Sequence, residues 1–250
     1  MRKAVSSLVI AILFLQAMVV AFAYARPPDL ERHIFIHYAK GAKPNSPSGD
    51  TGSYKLLGAK WQTLPITVKV NTYNSQGLSY EFIENAIKLA AGEWDNGTYS
   101  QGDQDPSTYW TGVSATLISG VGTTSKRYGN LSWTRDKLDG ENTIVFGDYP
   151  NSGVIAVTII WYSRATKTII EFDMVLDTDY SWGNATELGD SVMDLQNIVT
   201  HELGHGLGLN DVYSTSASQE TMYGYADYGE TIKRTLYKGD MTGIKKLYGR

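Results

Sequence analysis

The chain has 250 residues, 22 basic against 26 acidic side chains for a net charge of −4, and no cysteine. Its apolar fraction of 42% and its length are those of a globular protein with a real core, one domain plus extras. The mild acidity argues against a nucleic-acid surface, and the lack of thiols excludes disulfides and a lipid-modified cysteine.

Residues 1–25 read as a secretory signal peptide. Arg2 and Lys3 form the positive n-region, Leu8 to Phe22 is an apolar run broken only by Gln16, and Ala23-Tyr24-Ala25 fits the small-x-small cleavage rule. Cleavage after Ala25 leaves an extracellular product with no stable membrane partner. The alternative is an uncleaved anchor, for which the run is short.

Residues 26–60 form an N-terminal arm or a short pro-segment. His33-Ile34-Phe35-Ile36-His37-Tyr38 has the composition of a short strand. Lys40 to Ser53 is rich in Pro, Gly and Ser and reads as a linker or exposed loop. Two readings stay open: a pro-segment that covers an active site, or an arm packed on the domain. On a strand His33 and His37 share one face without converging well, and they are read as structural or exposed.

The main domain, 61–250, starts near Trp61. Leu64 to Val70 alternates like a strand with Pro65 at its start. Residues 79–95 form an amphipathic helix, with Ser79 as N-cap and Leu78 with Ile83 as a hydrophobic staple. Phe82, Ala86, Leu89, Ala90 and Trp94 line its inner face. Asp95 to Pro106 is polar and turn-rich. Ala115 to Ser119 and Asn142 to Phe146 are the next strands. Gly153 to Tyr162 is the strongest strand signal, and Ile169 to Leu176 comes after it. Asp173, Asp177 and Asp179 cluster near the end of that strand; they are either hard oxygen ligands for calcium or solvated loop acids. Asn96, Asn130 and Asn184 open N-glycosylation sequons.

A helix over 191–207 carries the chemistry. Ser191 with Asp194 three residues on resembles a capping box, and Leu195, Ile198, Val199, Leu203 and Leu207 recur at helical spacing. Within it, His201-Glu202-Leu203-Gly204-His205 is an H-E-x-x-H motif. Residues four apart on a helix share a face, so His201 and His205 can ligate one metal ion with Glu202 beside it as general base. Gly208 can leave the helix with positive φ. Asp211, six residues past His205, is then placed as a third ligand, which leaves a catalytic zinc one open position.

Taken together, His201 to Asp211 resembles the extended zinc signature H-E-x-x-H-x-x-G-x-x-H of the metzincin peptidases, with Asp in the last place as in the snapalysin-like branch. Thr221-Met222-Tyr223-Gly224-Tyr225 resembles the metzincin Met-turn at a matrixin-like distance. Gly239-Asp240-Met241-Thr242-Gly243-Ile244-Lys245-Lys246-Leu247-Tyr248-Gly249 is similar to the last helix of matrixin catalytic domains, and Phe172-Asp173-Met174 resembles the segment before the active-site helix. The resemblance covers Trp61 to Arg250 and is densest after Asn142.

It implies an α+β, zincin/metzincin-like catalytic domain. This would have a twisted, mixed, mostly parallel five-stranded sheet, two long helices, and a small C-terminal subdomain ending in a helix near 240–248. It implies a secreted, monomeric zinc metalloendopeptidase acting on protein or peptide substrates. Zinc would sit on His201, His205 and Asp211, with Glu202 as base and Met222 in a hydrophobic floor. Gly153, Val154, Ile155 and Ala156 would belong to an antiparallel edge strand to which an extended peptide adds, and Tyr223 and Tyr225 would shape the pocket past the cut. The chain lacks the cysteine of a cysteine switch and the histidines of a second, structural zinc. Two rivals stand beside this reading: a gluzincin-type peptidase with Glu220 or Glu230 as third ligand, and a catalytically silent binding module on the same fold.

Overall fold

A computed structural model of the chain describes residues 29–42, 52–96, 116–131 and 138–249. The expected signal peptide and its cleavage site, most of the expected linker, and sequon positions 98 and 132 lie outside these residues. By contacts the chain divides into two units, Met1–Leu30 and Glu31–Arg250, and the second holds the helices and, from Glu31 on, the sheet.

Among the described residues seven strands form the main sheet: β1 (Leu30–Ala39), β2 (Ile66–Val70), β3 (Ile118–Thr123), β4 (Thr143–Gly147), β5 (Val154–Ser163), β6 (Thr168–Asp177) and β7 (Tyr225–Ala226), in the order β7-β1-β5-β6-β4-β2-β3. β3, β2, β4 and β6 run parallel, and β5 pairs antiparallel with β6. These five strands are mixed and mostly parallel, as the resemblance implies, but the sheet has seven strands where five were expected. The other two are additions. The arm itself supplies β1, which pairs parallel with β7, Tyr38 opposite Tyr225 and Ala39 opposite Ala226. On its other side β1 lies along β5. Ala39 N–H donates to Gly153 O at 3.0 Å near one end, and Tyr162 hydroxyl donates to Glu31 Oε2 at 2.7 Å near the other, so the two strands run in opposite directions. The expectation that β5 is an edge is thus corrected: β1 occupies that edge. Burial agrees, since β5 is buried at nine of its ten positions, the pattern of a strand covered on both faces.

α1 (Tyr80–Asn96) starts where Ser79 Oγ accepts from Phe82 N–H at 3.1 Å. Its inner face is Ile83, Ala86, Ile87, Ala90, Ala91 and Trp94, whereas Leu89, expected inside, is 49% exposed. The helical stripe is centred on Ile83 and Ile87, which turns Leu89 away from the core. α2 (Leu195–Gly206) begins later than predicted. Ser191 belongs to a short 3-10 turn and donates to Leu188 O, while Met193-Asp194 pair with Trp182-Gly183. That pairing holds the chain extended until Asp194, whose Oδ1 accepts from Asn197 N–H at 2.9 Å and is the actual N-cap.

The two long helices are tied together at the site. Trp94 Nε1 donates to Thr200 O at 2.8 Å. α3 (Lys238–Tyr248) closes the C-terminal end, burying Met241, Ile244 and Leu247. It also braces the exit of α2, where Tyr248 hydroxyl donates to Leu207 O and Trp61 Nε1 donates to Gly206 O at 2.8 Å. The exit needs glycine. Gly208 has φ +103°, and a Cβ there would lie 2.6 Å from Ala59 O. No helix among the described residues is long and apolar enough to cross a membrane.

Candidate metal centre and active site

α2 is buried at eleven of its twelve positions, so its polar side chains point into the protein. His201, Glu202 and His205 are each fully buried. Groups of this kind stay inside only when they are paired or hold an ion. One nitrogen of each imidazole is satisfied by backbone. His201 Nδ1–H donates to Thr221 O at 2.7 Å, and His205 Nδ1–H donates to Leu209 O at 3.0 Å. These bonds select the tautomer with a bare Nε2. Both Nε2 atoms are buried without a hydrogen-bond partner, and so is Asp211 Oδ1.

The three bare atoms converge. Asp211 Oδ1 lies 3.2 Å from His201 Nε2 and 3.3 Å from His205 Nε2. The ligand–ligand edge of a tetrahedral site with bonds of 2.0–2.1 Å is about 3.3 Å. Two lone pairs and a carboxylate oxygen facing one another repel unless positive charge lies between them, so this donor set fits a small divalent cation. Burial depresses His201 to about 4, with neighbouring His37 adding to the effect, which keeps the ring neutral. Burial opposes the charged forms of His205 and Asp211 too, but their mutual attraction outweighs it, raising His205 and holding Asp211 well below the carboxylate range.

Asp211 gets there because Gly208 turns the chain, Leu209-Asn210 then pair with Lys55-Leu56, and Val212 N–H donates to Met222 O at 2.9 Å. The last contact links the Asp211 segment to the methionine turn. Met222 is buried below α2 at Gly204, where a Cβ would come within 2.7 Å of the Trp94 ring and onto the Met222 sulfur. Glycine is therefore required at that helical position for the floor to reach the helix. Two carboxylates pin the turn to α3. Asp240 accepts from the N–H groups of Thr221, Met222 and Tyr237, and Glu220 Oε2 accepts from those of Gly239 and Asp240. Glu230 instead pairs with Lys233 and Asn197. Neither alternative third ligand joins the histidines.

Glu202 is held at both oxygens. Thr158 Oγ1 on β5 donates to Oε2 at 2.5 Å, and His37 Nδ1–H on β1 donates to Oε1 at 3.1 Å. Burial raises the Glu202 carboxyl above its usual range. Four residues here escaped the sequence reading. His37, expected to be structural or exposed, is 1% exposed, and its ring lies 4.0 Å from that of His201. Phe35, two residues earlier on the same strand face, stacks on His205 at 3.9 Å and 7°. Thr158 was legible as the one hydroxyl in an apolar strand interior. Tyr213, two residues past Asp211, donates to its Oδ2 at 3.0 Å; alternation could have placed it there.

The other expected site residues take varied places. Gly153 meets the arm through Ala39, and Val154, Ile155 and Ala156 are buried within the sheet. Tyr223 and Tyr225 form an aromatic group with Tyr213: the Tyr223 and Tyr213 rings lie 5.7 and 5.3 Å from that of Tyr225. The acidic cluster is Asp148, Asp177 and Asp179. Asp173 is not in it: it sits four residues back on an extended strand, opposite Ile159 and Thr143, roughly 13 Å away at 3.3 Å per residue.

The matrixin family profile matches residues 151–249. Matrix metalloproteinase-16 of Rattus norvegicus is 29% identical over 203 residues, covering 78% of this chain and 28% of that protein. Matrilysin of Homo sapiens is 24% identical over 211 residues, 83% of this chain and 66% of its own length. Karilysin of Tannerella forsythia is 26% identical over 217 residues, 86% of this chain and 39% of its own length. This chain thus spans under a third of the first of these proteins and at most two thirds of the others. The matched segment contains α2, the acidic residue after it, the methionine turn and α3, and over it the chain is similar to the matrixin metzincins.

Proposed function

We propose that this protein is a secreted zinc endopeptidase that hydrolyses peptide bonds with Glu202 as general base. The observation that carries the proposal is the convergence of three buried, otherwise unpartnered donors, His201 Nε2, His205 Nε2 and Asp211 Oδ1, one residue away from a buried carboxylate. Those three residues would hold Zn2+, and the ion would supply Lewis-acid polarisation of the scissile carbonyl and a lowered pKa for water.

Everything else is work for the chain's own groups. Thr158 fixes the Glu202 carboxylate by occupying Oε2. Oε1, which His37 Nδ1–H must release, is then the atom that takes a proton from attacking water and returns it to the leaving amine. Burial raises the basicity of that oxygen towards neutral pH, where a general base is most effective. The methionine turn and Trp94 keep water from the inner side of the helix. Tyr213 orients Asp211 through Oδ2 so that Oδ1 faces the histidines. Tyr223 and Tyr225 line the substrate's path beyond the cut, and protein or peptide chains are the substrate class. A second, calcium-type site is proposed at Asp148, Asp177 and Asp179, where Asp177 Oδ2 is buried and unpartnered.

The test is zinc stoichiometry of the purified chain together with casein or peptide cleavage, with and without chelator, for the unmodified protein and Glu202→Gln. Glu202→Gln should keep its zinc and lose roughly two to four orders of magnitude in turnover. Normal cleavage by the variant would remove Glu202 from the mechanism. Bound zinc with no cleavage of any peptide would favour a silent binding module.

A further inference from the structure

A cavity of about 220 Å³ lies at the N-terminal end of α2, between α1, residues 183–187 and the 3-10 turn Ile232–Arg234, and it shares no side chain with the metal centre. One wall is a stripe of α1. Phe82, Ala86 and Leu89, at spacings of four and three, stand on one helical face, and Leu89 is left half-exposed at the edge. The opposite wall is polar. Arg234 Nε donates to Asp194 Oδ1 at 2.8 Å and a second guanidinium N–H donates to Oδ2, so these two charges cancel. Glu187 instead accepts from the neutral Asn184 Nδ2 at 2.8 Å, and two acids against one base leave the lining with a net negative charge. Asn85 and Gln196 add two side-chain amides. Each carries donors and an acceptor, the functions that a peptide unit needs.

We propose that this cavity is a second peptide-binding site, which holds a large apolar side chain and an adjacent basic residue of the substrate polypeptide away from the bond that is cut; this rests on the peptidase reading of the metal centre. The cavity is smaller than pockets for drug-sized ligands, roughly 300–1,000 Å³, and suits one side chain with its flanking backbone. The α1 stripe takes the apolar group, the two amides take the backbone, and Glu187 supplies the opposite charge for the basic residue. The cavity is also continuous with the substrate's path. Lys233, next to Arg234, donates from Nζ to Tyr225 O at 2.8 Å, and Tyr225 lies on the proposed path beyond the cut. Along α2, Asp194 precedes His201 by seven residues. That is roughly 10 Å at 1.5 Å per residue, a span that about three or four extended residues cover. A polypeptide held at both places gains the effective concentration of the second contact, and a short peptide does not.

The experiment uses the full chain and two full-chain variants, Leu89→Ser and Glu187→Lys, both at exposed positions where folding is not at stake. The probe is a short labelled peptide with one leucine between two lysines, and the control peptide has glutamates in place of the lysines. Three quantities are read: peptide affinity, backbone amide shifts during the titration, and the ratio of casein cleavage to cleavage of a short quenched peptide. The expected result is a set of shifts concentrated at residues 82–89, 184–187 and 194–196. Either variant should bind the probe at least tenfold more weakly, and so should the unmodified chain bind the control peptide. The ratio of casein to short-peptide cleavage should fall at least tenfold in both variants. The inference is overturned if the shifts appear only at the metal centre or nowhere, or if both variants bind the probe as tightly as the unmodified chain. It is also overturned if the variants cleave casein and the short peptide in the unmodified ratio. If the probe binds as expected yet neither casein nor the short peptide is cut with zinc bound, the peptide-binding site stands and the peptidase reading falls.

Discussion

At the scale of single residues, the site depends on which atoms are left bare. His201 and His205 were legible from the four-residue spacing alone, and Gly208 from the need for a turn. The partners that set their tautomers, Thr221 O and Leu209 O, were not, because backbone carbonyls leave no mark in a sequence. His37 was missed for a different reason. It lies 164 residues before His201, and only the strand pairing of the arm brings the two rings together. Asp211 is the residue whose role most needs measurement. Asp211→Ala should lower zinc affinity sharply, by several orders of magnitude in a competition titration, and abolish cleavage. Asp211→His should recover part of both, since imidazole nitrogen replaces carboxylate oxygen at a similar metal distance. Tyr213→Phe removes only the bond to Oδ2 and should weaken zinc by about 10- to 100-fold, as loss of an outer partner does. Unchanged zinc affinity in Asp211→Ala would move the third ligand elsewhere.

At the scale of elements, periodicity located the long strands and helices of the main domain to within a few residues except at β3, expected at 115–119 and found at Ile118–Thr123. Boundaries went wrong where tertiary pairing overrode a local signal. The chemistry of Ser191 suits an N-cap, but Met193-Asp194 pair with Trp182-Gly183 and delay the helix to Asp194. The join between the methionine turn and α3 is testable in the same spirit. Glu220 and Asp240 stand side by side at the N-terminus of α3. Burial, and then the Asp240 carboxylate, push Glu220 from 4.5 up to about 8. Such a group binds its proton more tightly in the folded than in the unfolded chain. Its contribution to stability is therefore present at low pH and is lost as pH rises from 4.5 through about 8. Glu220→Gln keeps the acceptor for Gly239 and Asp240 N–H and cannot ionise. Urea midpoints measured from pH 5 to pH 8 should fall for the unmodified protein relative to this variant. Parallel curves would show that Glu220 does not hold its proton there.

At the scale of the whole molecule, five strands of the sheet were predictable and the pairing of the other two was not. Four of the five are specified by their own apolar positions; β3, Ile-Ser-Gly-Val-Gly-Thr, is not. β1 and β7 are added by long-range pairing between residues 38–39 and 225–226, and nothing local in either segment fixes the partner. On the proposed reading, bound ions add to the stability of the fold. His201, His205 and Asp211 come from a helix and from the segment after its exit, and their donor atoms converge on one point. Asp148, Asp177 and Asp179 come from the ends of β4 and β6. A cation that binds only the folded chain stabilises it by RT ln(1 + [L]/Kd), about 4 kcal/mol at a thousandfold excess over Kd. Two chelators separate the two sites. A zinc-selective chelator should lower the melting temperature and abolish cleavage together, and micromolar zinc should restore both. A calcium-selective chelator should lower the melting temperature with zinc still bound, and Asp177→Asn should remove that second shift while leaving the first. A melting temperature indifferent to the zinc-selective chelator would mean that the three donors do not share an ion, and the metal centre would have to be abandoned.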